Sequence, residues 1–292
     1  MNPYIFVTDS DSDLPYEIMD ERQIAMVFMP YVVNGEEYAD DLGRSHGQKE
    51  YFNAMRNGSV PSTSCLPTAY FVDFFDTYLQ GGNDILYLSF SSQLSANIQN
   101  VYAACEELKT KYPNQKIVVV DTLSISAPQS ILIEKAHDLY RAGKSIDEVA
   151  QWVETNKLRA QAWFTVDDLK YLRRGGRISS FAATMGTVLD LKPIIVETKE
   201  GKLESVEKIQ GRKRALRAVA NKVAENIDKV EEADMVILHA DALEDAQRLE
   251  KLIRERVPAL HNIRTQYVGP VIGAHCGPGT IAACFFGKVR PH

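Results

Sequence analysis

Short apolar runs alternate with amphipathic helical stretches along this 292-residue chain, and that alternation restricts its fold more than any single motif. Residues 4–8, 24–33, 85–89 and 117–120 read as buried strands. Residues 48–56 and 68–79 read as helices, as does the stretch that puts Ile98, Val101, Tyr102, Cys105 and Leu108 on one face. Two more helices follow near residues 127–141 and 145–156. Strands that alternate with helices imply a parallel or mixed sheet. The pattern changes after about residue 159. Residues 162–166 read as a strand, 167–172 as a short helix, and Arg173-Arg174-Gly175-Gly176-Arg177 as a loop. Residues 194–197 and 202–209 flank Glu200-Gly201, a hairpin turn with glycine in the left-handed region. A long amphipathic helix after Gly211 carries Leu216, Val219, Val223 and Ile227 at helical spacing. Residues 235–240 and 263–268 read as strands around a helix at 245–256. The expectation is an α/β protein with two α/β domains, 1–160 and 161–292. No low-complexity linker marks the boundary near 160, so the two halves are expected to pack together.

Composition narrows the function. Apolar residues make up 45% and charged residues 25%, average for a globular protein. Lys and Arg number 33 against 39 Asp and Glu, a net charge of −6, which argues against a general nucleic-acid binder. No basic region precedes the first apolar run, so no signal peptide is expected. The longest run without a polar residue, 24–33, is broken by Pro30 and too short to span a bilayer, so no stable membrane insertion is expected. Cys65, Cys105, Cys276 and Cys284 form no C-x-x-C pair, which argues against zinc and redox motifs. A reduced, cytoplasmic protein is the default expectation.

Polar clusters lie just past the ends of apolar strands, where open α/β sheets bind ligands. Four such loops occur in the first half: 9–13, 62–68, 89–95 and 121–126. Ser62, Thr63 and Ser64 are consecutive, and Ser91, Ser92 and Ser95 precede a helix. Hydroxyls beside helix N-terminal amides suit an oxyanion such as a carboxylate or phosphate. Ser95 suits a helix cap equally well. Two basic clusters stand out in this acidic chain: Lys170, Arg173, Arg174 and Arg177 around Gly175-Gly176, and Arg212, Lys213, Arg214 and Arg217 at the start of the long helix. Cations oppose the dipole there, which suggests a use elsewhere, an anion or an acidic partner; a solvated charge run is the plainer reading.

Residues 268–287, VGPVIGAHCGPGTIAACFFG, hold five of the chain's 17 glycines, and two Gly-Pro pairs bracket His275. Such punctuation reads as a strand, a tight turn with a histidine at its mouth, then a buried segment. An enzyme reading exists as well. Asp9 and Asp11 follow the first strand, and Asp167-Asp168 follow another, a pattern that suits a Mg²⁺-dependent haloacid-dehalogenase-like phosphatase. It leaves His275, the double glycine and the serine clusters without a role. No nucleophile elbow, P-loop or dinucleotide fingerprint is present, so binding without chemistry leads.

Taken in order, VTDSDSDLP, PSTSCLPT, LSFSSQLSANIQN, VVDTLSIS, DDLKYLRRGGRIS, LKPII, GRKRAL and GPVIGAHCGPGTIA resemble the DegV family across nearly the whole chain. The resemblance implies two α/β domains with a long-chain fatty acid buried between them and no catalytic set or cofactor of its own. It also implies a partner, the catalytic subunit of bacterial fatty acid kinase, which would supply ATP and form an acyl phosphate for phospholipid metabolism. Thr63, Ser64 and Ser95 match the hydroxyls that hold the carboxylate, and His275 matches the histidine of the H-x-G-P-G piece. Arg173, Arg174, Arg177 and Arg212 match basic positions near the head group or the partner surface. The chain departs from the common family pattern at Cys65, Ala96, Asn97 and Ala127-Pro128, which bears on head-group hydrogen bonding and lipid preference rather than on fold.

Overall fold

The apolar runs of this chain are sorted into three sheets by how each is covered. A computed structural model describes residues 3–178, 190–230 and 233–292. The order in the first half is β1 (Tyr4–Asp9), α1 (Tyr16–Arg22), β2 (Ala25–Val27), β3 (Pro30–Val33), β4 (Glu36–Ala39), α2 (Gln48–Arg56), β5 (Ser62–Thr63), α3 (Thr68–Leu79), β6 (Asp84–Ser89), α4 (Asn97–Lys111), β7 (Ile117–Asp121), α5 (Ser126–Arg141) and α6 (Ile146–Asn156). It continues with β8 (Ala160–Thr165), α7 (Lys170–Gly175), β9 (Leu191–Glu197), β10 (Leu203–Gln210), α8 (Arg212–Asn226), β11 (Asp234–His239), α9 (Leu243–Arg256), β12 (Asn262–Tyr267), α10 (Pro270–Cys276) and β13 (Ile281–Phe286).

β2-β1-β6-β7 form a parallel sheet, and β10-β9-β8-β13-β11-β12 form a mixed one. All six residues of β6 are buried, as expected for a parallel strand covered on both faces. β4-β3-β5 make a small antiparallel sheet. The expected strand at 24–33 is therefore two strands in different sheets, because the chain leaves the parallel sheet after Val27 and re-enters pairing at Pro30. The 200–201 turn is a hairpin with Gly201 at φ +81°, as its sequence indicates.

α5 explains how the sheets are joined. Its first eight residues are all buried, and it packs on β8 and β13 on one side and on β1 on the other. A helix buried all round is a middle layer rather than a surface helix. α6 is held by a capping box, in which Ser145 and Glu148 satisfy each other's backbone amides. In α4 the buried face is Ile98, Val101, Ala104 and Leu108, while Tyr102 is 42% exposed; the expected stripe was rotated toward solvent. Among the described residues, no helix is long and apolar enough to cross a membrane.

The C-terminal segment returns to clasp both ends of the chain's middle. Arg290 is fully buried, with Nε donating to Ala160 O at 2.7 Å and Nη1 to Leu123 O at 2.7 Å and Thr198 O at 2.9 Å. Nη2 donates to Ser124 Oγ at 2.6 Å and lies 2.8 Å from the carboxylate of Glu197, also fully buried. Burial pushes Glu197 up to about 7 although Arg290 pulls it down. Removing the cation strands that carboxyl, so Arg290→Met is expected to cost about 3–5 kcal/mol in urea unfolding. A carboxyl with a raised folded pKa contributes stability that is present below its ordinary value of 4.5 and is lost as pH rises through about 7. The stability of the wild type relative to Glu197→Gln should accordingly fall across that range. A difference that grows with pH would mean the ion pair outweighs its desolvation.

Candidate functional site

A cavity of about 120 Å³ with mostly apolar walls lies between the two larger sheets. One wall comes from the larger sheet: Ala162 and Phe164 of β8, Leu203 of β10, Leu238 of β11, Ala282 and Cys284 of β13. Met29, Phe90, Leu94 and Ile125 face them from the first half, and Val271 and Ile272 of α10 close the side.

Polar groups gather where the ends of β5, α4, α7 and α10 meet. Thr63 is placed by the pairing of β5 with β3, opposite Tyr31. Its Oγ1 lies 2.8 Å from His275 Nε2. Ser64 follows it on the cavity wall, and no described residue hydrogen-bonds to its hydroxyl. Ser95 Oγ accepts from Asn97 N at 3.2 Å, so this hydroxyl satisfies the first amide of α4 from one residue before the Ala96 cap position while it lines the cavity. Its other close neighbour is Cys65 Sγ at 3.8 Å. Three further hydroxyls in these segments are committed elsewhere. Ser91 donates to Gly201 O at 2.7 Å, Thr280 to Gly277 O at 2.9 Å, and Ser126 to the Asp13 carboxylate.

Two glycines bring His275 to this place. α7 ends in a Schellman motif: Gly176 has φ +66°, its N–H bonds Arg173 O, and the Arg177 N–H bonds Leu172 O. The expected loop at 173–177 is thus largely helix, with only Gly176 and Arg177 beyond it. α10 likewise replaces the expected turn around His275, which sits in its last turn. Pro270 occupies the first helical position, where a missing N–H costs nothing, and the turn proper is Gly277-Pro278-Gly279. A Cβ on Gly175 would lie 2.3 Å from His275 Nδ1, and one on Gly277 would lie 2.2 Å from the Tyr171 ring. The two glycine motifs are the two sides of one helix–helix contact.

Electrostatics at this end favour a neutral imidazole beside a fixed cation. Burial, with Arg177 and Arg174 nearby, lowers His275 to about 4. Arg177 lines the cavity and is anchored by Nε to Leu94 O at 3.1 Å and by Nη1 to Gly175 O. The other expected arginines are not brought to the cavity. Arg173 and Arg174 are exposed on α7, where Arg174 lies over the Tyr171 ring. Arg212 bonds Asp245 at 2.9 Å and Gly279 O at 2.5 Å, so it buttresses the turn after His275.

The acidic loop after β1 does not form a phosphatase site. Asp9 is buried, accepts from Tyr87, Phe90 N and Gln129, and does not line the cavity, so its carboxyl is turned to internal donors. Asp167 and Asp168 are tied to Lys192 and Lys170. Among the described residues, no three His, Cys, Asp or Glu side chains converge as metal ligands. Asp11, by contrast, reaches the cavity wall. Sequence reasoning missed that role, and its burial was the only signal, one that appears on folding.

A family model described as "Uncharacterised protein, DegV family COG1307" matches residues 5–288. A DegV domain-containing protein of Clostridium perfringens is 38% identical over 290 residues, 99% of each chain. The structure of a fatty acid binding DegV family protein from Streptococcus agalactiae aligns with TM-score 0.86 and 26% identity, over 99% of this chain and 100% of that one. A Thermus thermophilus DegV family protein whose structure is described as fatty acid binding aligns with TM-score 0.86 and 26% identity, over 98% and 100%. Matched along nearly its whole length in sequence and in fold, this chain belongs to the DegV family.

Proposed function

We propose that this protein binds a long-chain fatty acid in the cavity, with its carboxylate at the Thr63, Ser64 and Ser95 hydroxyls, between halves 1–160 and 161–292. The observation that carries the reading is the polarity of the cavity: mostly apolar walls, with the hydroxyls of Thr63, Ser64 and Ser95 gathered on one part of the lining. A buried carboxylate is costly unless donors meet it, and these are donors. With its proton on Nε2, neutral His275 donates to Thr63 Oγ1 and turns the threonine hydroxyl proton toward the ligand. Arg177 supplies the nearest positive charge on the cavity wall. The relatives named as fatty acid binding proteins support the same assignment.

A finer reading follows from the arginines left outside. Arg173 and Arg174 stand exposed on α7 and do not line the cavity. We infer that they face the catalytic subunit of a fatty acid kinase, to which this chain presents its ligand for phosphorylation.

Two measurements test these roles. Hydrogen bonds to a charged group contribute about 1.5–3 kcal/mol, so Ser95→Ala should weaken fatty acid binding about tenfold or more. The fatty alcohol of equal length should be much less affected, as it brings no charge to satisfy. Titration of both ligands against delipidated wild type and Ser95→Ala decides this; equal weakening of acid and alcohol would make Ser95 a helix cap alone. Reversal of Arg173 and Arg174 to glutamate should lower acyl phosphate formation in the presence of the kinase subunit and ATP, with fatty acid affinity nearly unchanged. Parallel loss of both would remove the arginines from the partner surface.

A further inference from the structure

We propose that Asp11 is a second polar anchor of the cavity, one that selects acyl chains carrying a hydroxyl group; this rests on the fatty acid reading above. Asp11 belongs to the single 3₁₀ turn Ser10–Ser12, which is packed against α5 at the end of β1. The turn is otherwise closed on itself and its neighbours. Ser10 Oγ accepts from Met29 N at 2.9 Å, and Ser12 Oγ donates to Asp9 O at 2.7 Å. Asp9 is supplied with donors by Tyr87, Phe90 N and Gln129, and Asp13 by Ser126 and Gly269 N; Asp40 accepts from Leu42 N through Oδ1 and keeps an unpartnered Oδ2, but it does not line the cavity. Asp11 is 4% exposed, lines the cavity, and its Oδ1 has no hydrogen-bond partner.

An unpaired buried carboxyl is expensive, and this one shares the cavity lining with Met29, Phe90 and Leu94 and feels the charge of Arg177. Its surroundings define what it can accept. Burial, together with the carboxylates of Asp9, Asp40 and Asp13, pushes Asp11 well above the ordinary carboxylate range, and Arg177 only partly offsets them. That shift favours the protonated form, in which the carboxyl offers one donor and one acceptor side by side. An alcohol has the same pair and can satisfy both at once. A methylene has neither, so a plain chain leaves the carboxyl unpaired. Sites built to pair a ligand hydroxyl discriminate strongly against the ligand that lacks it.

The test uses delipidated wild type, Asp11→Leu and Asp11→Asn, each titrated with palmitic acid and with the series of its monohydroxy derivatives along the chain. The readout is the affinity of each derivative relative to palmitic acid for the same protein. In the wild type, one position or a few adjacent ones should stand out. Asp11→Leu should lower the ratio at those positions by about tenfold or more, and Asp11→Asn, which keeps a donor and an acceptor, should retain most of it. Should Asp11→Leu not fold, Asp11→Ala carries the same comparison. A wild type that binds palmitic acid but shows no preferred position overturns the proposal and leaves fatty acid binding intact. So does a variant that weakens palmitic and hydroxy acids alike, which would assign Asp11 to packing, a bound water or the head group. A wild type that binds none of these acids overturns this proposal and the fatty acid reading together.

Discussion

The close approach of α7 to α10 is the contact on which the polar end of the cavity depends. Gly175 leaves room for the imidazole of His275, and Gly277 leaves room for the ring of Tyr171. Any side chain at either glycine would drive the helices apart. The approach seats His275 against Thr63, a residue that reaches the same spot from the small antiparallel sheet. Arg177 then follows from the Schellman cap of α7: once Gly176 turns the chain into the left-handed region, Arg177 leaves the helix axis and meets Leu94. One helix–helix contact thus sets histidine, threonine and arginine together.

The cavity itself is the consequence of a middle layer that stops short. α5 fills the space between β1 and the strands β8 and β13. Past its N-terminus, Ile125, Ser126 and Pro128 border open volume instead of packing. The larger sheet continues beyond that point, and Ala162, Ala282 and Cys284 present small side chains there. Small residues facing a missing layer leave space that an apolar ligand can fill with dispersion contacts and hydrophobic burial. Any ligand that occupies it stabilises the folded state in proportion to the logarithm of its concentration over Kd.

Local pattern made much of the fold legible. The helices at Gln48–Arg56 and Thr68–Leu79 have the bounds that periodicity indicates, and Gly201 adopts the conformation its hairpin requires. Failures came where the deciding partner lies far along the chain. Arg173-Arg174-Gly175 looks like a loop because glycine pairs usually break helices, yet these residues finish α7. Pro270 and Gly273 look like breakers, but Pro270 begins α10 and Gly273 lets the Phe52 ring come close. The cavity was invisible for a related reason: Phe164, Ala282 and Cys284 have the alternation of core residues, and only the absence of a layer opposite distinguishes wall from core. Of the arginines singled out, Arg177 alone reaches the cavity, since Arg212 has been claimed by Asp245 and a carbonyl.

The choice posed by the serine-rich loop, helix cap or ligand contact, dissolves in the chemistry of the hydroxyl. A helix N-terminus offers N–H groups and asks for acceptors. A carboxylate offers acceptors and asks for donors. One hydroxyl carries two lone pairs and one proton, so Ser95 can accept from Asn97 N and still donate to a ligand oxygen. Its proton is then polarised by the helix amide it accepts from, which strengthens the donor. The Thr63–His275 pair can repeat the arrangement: in the tautomer with its proton on Nε2, the imidazole takes a lone pair of Thr63 Oγ1 and leaves the threonine proton for a ligand. Carboxyl groups invert the logic. Asp9 and Asp13 use their lone pairs on internal donors and hold the loop in place, whereas Asp11 has no internal donor to satisfy it. The same loop therefore supplies both the scaffold of the site and, in Asp11, a buried carboxyl on the cavity wall with an unpartnered oxygen.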